Sequence, residues 1–351
     1  MEKRDFSAVE NDRFDLAKKA GEYGVSSAFL TSDLSNALFP ESGLYLSDRL
    51  LSNSQQYLRS MIGEIESQLC LKATENLGIV HASIDEIGNG SMVYCYDHLR
   101  NAGLLNKSEL LEHVFVQAQK VELTNRLLQK FSQEDLENSL ASHLDHEDKN
   151  IAEAAMALLV SRNRSGFQIG QISCRLSNVP VEIYHDLVWS VTAAVQKISG
   201  CSEPKLLSAA ELVLAEHDES QSSDNRAQRL AGLLDHAEAS AAIPHPIKDG
   251  LELFLAHIAL RSQLSANQLV IFTAEPNMAR LVVVMRALGI TENDALSIFT
   301  ALDGSGNILT PASYKEISRE QAIVMTDNWS KPTALQTAER KLSSNQPEID
   351  G

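Results

Sequence analysis

The side chains best suited to chemistry in this chain are histidines and aspartates on stretches of helical period. His143 and His146 lie close together, His185-Asp186 and His217-Asp218 are adjacent pairs, and Asp235-His236 is the reversed pair. Neutral imidazoles and carboxylates that converge on a divalent cation can turn its bound water into a nucleophile. The same residues also have a plain reading. With 10 histidines in 351 residues, His-Asp neighbours arise by chance, and these doublets fall on different predicted helices. His185 and Trp189 share a helix face at i, i+4, which predicts a packed, half-buried ring beside an apolar stripe.

Other motifs fall short of their chemistry. Asp303-Gly-Ser305-Gly-Asn307 begins like a calcium loop, but Ile308 stands where the turn needs Gly and Tyr314 where a bidentate Glu is needed. Gly88-Asn89-Gly90 lacks the third glycine and the strand–helix frame of a nucleotide loop. Ser202-Glu-Pro-Lys205 matches a serine–lysine motif by letter alone. Cys70, Cys95, Cys174 and Cys201 include no C-x-x-C pair, so reduced, buried or semi-buried thiols are expected rather than a zinc site or a disulfide framework. No catalytic, cofactor-binding or metal-ligating residue is assigned, and no cofactor is expected.

The elements that must position these residues read as helix after helix. Leu44–Leu71 carries Leu46, Leu50, Tyr57, Met61, Ile65 and Leu69 near helical spacing. Short strands could hide only within residues 77–90. Asn106 with Glu109 has the form of a capping box, as does Ser265 with Gln268. Asp148 can cap a helix whose stripe is Ile151, Ala154, Ala155, Leu158 and Leu159. Pro180 opens a helix striped by Tyr184, Leu187, Val188, Val191, Val195 and Ile198, which Ser199-Gly200 ends. Further helices are expected over Leu206–Glu216, Asn225–Ala239, Asp249–Arg261, Ser265–Ala274, Asn277–Leu288, Thr291–Leu302, Ser318–Asp327 and Thr333–Ser343. They pair at roughly 35–45 residues, within the range of helical repeats. Trp189 reads as core, and Trp329 as either core or surface.

This organisation gives a lead-in and linker at 1–43, an N-terminal helical segment at 44–103, a helical array at 104–343 and a frayed tail at 344–351. Lys and Arg total 30 against 47 Asp and Glu, a formal charge of -17, and hydrophobic residues make up 44%. A nucleic acid repels such a chain unless a basic patch is segregated, and none is visible. That weighs against a helical nucleic-acid binder like the HEAT-like DNA glycosylases. No apolar run is long enough to span a bilayer. The residues after Met1 lack the apolar core of a signal peptide, so a cytoplasmic location is expected.

Asp145–Val160, Val179–Trp189 and Ala322–Trp329 resemble an uncharacterised bacterial family catalogued as a domain of unknown function. The resemblance spans about residues 100–342 and implies an all-helical protein with HEAT-like helix pairs and no assigned activity. The expectation is an all-α, HEAT-like α-solenoid that binds another protein as a scaffold or regulator, without catalysis. The alternative is a metal-dependent phosphohydrolase of the all-helical HD type, using His143, His146, His185 and Asp186.

Overall fold

A computed structural model describes Ala20 and residues 47–76, 93–132, 140–164, 172–200, 204–237, 243–303 and 309–331. Among the described residues the chain is all-α, with no strand. The helices are α1 (Asp48–Leu71), α2 (Cys95–Asn101), α3 (Ser108–Lys130), α4 (Ala141–Leu144), α5 (Lys149–Arg164), α6 (Val181–Ser199) and α7 (Pro204–Ala215). They continue as α8 (Ser223–Ala237), α9 (Leu251–Ser262), α10 (Ala266–Ala274), α11 (Ala279–Ala287), α12 (Glu292–Leu302), α13 (Pro311–Glu316) and α14 (Arg319–Ser330). No described helix is long and apolar enough to cross a membrane. The chain divides into two compact units, one within Ser26–Ala256 and the other from His257 onward together with Ala20. The division therefore falls inside the 104–343 span.

The first unit holds two apolar clusters. The larger joins α1, α2, α3, α6 and α7 through Met61, Ile65, Leu99, Val114, Val188, Val191 and Leu206. The smaller joins Leu140, α5, α8 and the start of α9 through Ile151, Leu158, Leu230 and Leu253. Local sequence explains the helices that matter most. Ser47 caps α1 by accepting from the Leu50 N–H at 3.3 Å, so the helix starts at Asp48 rather than Leu44. Its buried face carries Tyr57, Met61, Ile65 and Leu69, and it runs on as a π turn over Lys72–Asn76. Asp148 accepts from the Asn150 N–H at 2.8 Å at the start of α5. Pro180 precedes α6, and Gly200 closes it at φ 69°, where glycine carries no steric penalty.

The expected Asn106–Glu109 box is not formed. Lys107 takes the capping position in extended conformation, with no side-chain cap bond, and its ammonium reaches Asp186 at 2.5 Å. The expected strands at 77–90, the calcium-like loop at 304–308 and the last helix, Thr333–Ser343, lie outside the described residues.

The second unit centres on α11. Leu281, Val282, Val283, Val284 and Met285 are all buried, and α10, α12 and α14 pack around the helix. A helix buried on every side suits the middle of a bundle. The turn into α11 places two successive non-glycine residues in left-handed conformation, Asn277 at φ 60° and Met278 at φ 48°. The buried Glu275–Arg280 ion pair braces this turn, and the Arg280 guanidinium lies 4.1 Å over the Phe272 ring. Phe272 meets Trp329 edge-on at 5.6 Å, so Trp329 belongs to the core.

Candidate functional site

The first unit contains an open cleft of about 630 Å³ between the end of α1, residues 173–177, α6 and the end of α7. The period of α1 that buries Met61 and Ile65 turns Glu64, Gln68 and Lys72 toward the cleft on one face. Gln68 donates to Glu64 at 3.1 Å, and the Lys72 ammonium pairs with Glu216 at 2.5 Å. Tyr184 comes from the buried stripe of α6, and its hydroxyl donates to the Val213 carbonyl at 3.4 Å.

His217 follows the last turn of α7. Its ring stacks on Tyr184, with centroids 4.1 Å apart and planes 19° from parallel. Its Nε2 lies 3.1 Å from the Val179 carbonyl. A carbonyl only accepts, so Nε2 is the donor in this bond. Asp218 turns away to accept from the Ser220 N–H and hydroxyl and from Gln221. Those bonds hold its carboxyl below the usual range.

Cys174 lines the floor, where burial pushes its thiol up to about 12. Its main-chain N–H donates to Ser60 at 2.9 Å, and Tyr57 bonds the thiol from behind. The Tyr57 hydroxyl in turn lies 3.4 Å from Nε2 of His113. Burial, and then the charge of Lys120, lowers His113 to about 4. Burial likewise raises Tyr184 to about 12. At neutral pH, Cys174 and Tyr184 therefore stay protonated. Arg175 donates to the Ser161 carbonyl at 2.8 Å. The cleft is thus lined in part by side chains fixed by the fold.

The histidines and aspartates singled out in the sequence are dispersed. His143 pairs with Asp249 at 3.2 Å. His146 accepts from the Asp148 N–H at 3.0 Å. His185 is exposed rather than half-buried; it accepts from the Trp189 indole at 3.0 Å, while Trp189 itself is half-buried. Solvent can reach His185 because residue 185 faces away from the stripe that buries Tyr184 and Val188. Asp186 pairs with Lys107. Half-buried Asp235 and exposed His236 end α8.

Of the flagged set, only His217 and Asp218 line the cleft. Among the described residues, no group of three or more His, Cys, Asp or Glu could hold a metal ion. Cys70, Cys95 and Cys174 are buried free thiols; Cys201 and Ser202 lie outside the described residues. The Lys72–Glu216 pair and Arg175 had no local signal in the sequence. Compared with known proteins, the chain matches no family model, no curated protein and no solved structure.

Proposed function

We propose that this chain is a non-catalytic, cytoplasmic helical-repeat scaffold of the HEAT-like kind, which binds another protein through the cleft of its first unit. Membership in the all-helical bacterial family that it resembles is part of the same reading. One observation carries it. The cleft is open, yet five of its polar side chains, Lys72, Cys174, Tyr184, His217 and Asp218, are tied into the fold or held protonated. Tyr184 and His217 are bonded to carbonyls, Lys72 to Glu216 and Asp218 to its own turn. The Cys174 thiol is pushed up to about 12. Fixed polar groups on rigid helices suit recognition, because little ordering entropy is lost on binding. Stacked helices supply such surfaces.

The test is affinity purification of the native-level protein with mass spectrometry of what accompanies it, and metal analysis of the same sample. It is repeated with Glu64→Lys, an exposed change at the cleft. A stoichiometric protein partner that is lost with Glu64→Lys supports the reading. One or two equivalents of a transition metal and no partner overturn it in favour of the phosphohydrolase using His143, His146, His185 and Asp186.

A further inference from the structure

A second, smaller recess lies elsewhere on the first unit, between the turn before α3 and the first half of α6. It is a half-open hollow of about 150 Å³, a volume that matches a benzene-sized group where its walls are apolar. Leu104, Leu110, Ile183 and Leu187 form those walls. Leu110 and Leu187 are buried, whereas Leu104 is 40% exposed at the lip. Val181, 48% exposed, begins the same helix.

The rim is acidic. Lys107 is the lysine that lines the recess, and its ammonium is committed to Asp186 at 2.5 Å. Glu109 and Glu182 stand on the rim as exposed carboxylates. Glu112, one turn on from Glu109, is held above the usual carboxylate value by burial and then by the charge of Glu109. Two exposed carboxylates, Glu109 and Glu182, thus stand at the edge of an apolar hollow, on a chain whose net charge is -17.

We propose that this recess is a socket for one apolar side chain of a Lys- or Arg-rich segment of a partner protein. The apolar walls take the anchor and the rim carboxylates take the flanking cations. Anchor residues in small pockets carry a large share of binding energy, while rim charges set partner choice and association rate. The proposal rests on the protein-binding reading but concerns a separate place on the surface.

The probe is a short, fluorescein-labelled synthetic peptide with a single Leu flanked by Lys, titrated against the full chain at low salt by anisotropy. Saturable 1:1 binding is expected. Affinity should fall at least about tenfold, or about 1.4 kcal/mol, in three cases: when the peptide Leu becomes Gln, in the Glu109→Lys/Glu182→Lys double variant, and in Leu104→Lys. All three protein positions are exposed, so these variants should fold, and circular dichroism verifies that. Glu64→Lys should leave binding unchanged. Absent saturable binding, or affinity indifferent to these changes, overturns the socket. Binding lost with Glu64→Lys alone puts the peptide in the cleft; that overturns the socket and leaves the scaffold reading standing. A purified partner that is lost with Glu64→Lys, together with a peptide that does not bind, has the same meaning.

Discussion

The carboxylate of Glu66, buried in α1, accepts the main-chain N–H of Cys95 at 2.8 Å and that of Tyr94 at 3.2 Å. It thereby caps α2 from another helix, because Tyr94 makes no side-chain cap bond of its own. Negative charge at a helix start is favourable, and an unpaired buried N–H is costly. Glu66→Ala should lower the unfolding free energy by about 2–3 kcal/mol in urea titrations, and Glu66→Gln by less, since it keeps one acceptor. A loss in Glu66→Ala with none in Glu66→Gln would mean that the side chain acts by filling space and not through its second acceptor or its charge.

Gly250 has φ 91°, and the Arg162 guanidinium lies against it. An added Cβ would stand 1.8 Å from Arg162 Nη2, which also donates to Glu252 at 2.7 Å. Gly250→Ala should lose about 2–4 kcal/mol, from positive-φ strain of roughly 1–2 kcal/mol plus displacement of the arginine. In combination with Arg162→Ala, the loss should be smaller than the sum of the single losses. Strict additivity in a double-mutant cycle would contradict this contact.

His113 gives the fold a defined acid sensitivity. Its folded value is lowered to about 4, first by burial and then by Lys120, against about 6.5 in an unfolded chain. Between these values the unfolded chain binds a proton that the folded chain refuses, so acid favours unfolding. Stability should be unaffected by this group above about pH 6.5 and decline from there toward pH 4, by on the order of 3 kcal/mol. Chemical unfolding of His113→Leu across that range should show a flatter profile than the wild type, whatever its absolute stability.

In the second unit, the Glu275 and Arg280 side chains are 7% and 9% exposed. Removing one charge strands the other in the interior. Glu275→Ala should therefore lower stability by about 3–5 kcal/mol. The double replacement Glu275→Leu/Arg280→Met should recover much of that loss, because neither charge is then left buried alone. Thermal unfolding of the two variants beside the wild type distinguishes these outcomes.

Where the sequence announces an element locally, the fold follows it. The stripe Ile151, Ala154, Ala155 and Leu158 is buried as its period requires. Ser265–Gln268 closes its capping box, and Thr291 caps α12. Helix α2 was not read from the sequence, because its cap comes from Glu66 in α1 and leaves no mark beside it. The Asn106–Glu109 pair misled for the converse reason: the letters fit a box, but Lys107, drawn to Asp186, holds the capping position. The cleft was legible only at His217-Asp218. Lys72 meets Glu216, and His217 meets Tyr184 and Val179, across separate helices, and such distant pairings have no period or motif in the chain.

The enclosure of α11 sets how the second unit can be cut or lengthened. In an array where each repeat touches only its neighbours, an end repeat can be removed and a shorter fold survives. Here α14 covers one side of a helix whose Leu281–Met285 stretch has no solvent-facing side. A chain ending before Arg319 would lay that stretch open to water. Such a truncation should yield protease-sensitive, aggregating protein rather than a smaller working unit. The second unit should therefore fold or fail as a whole.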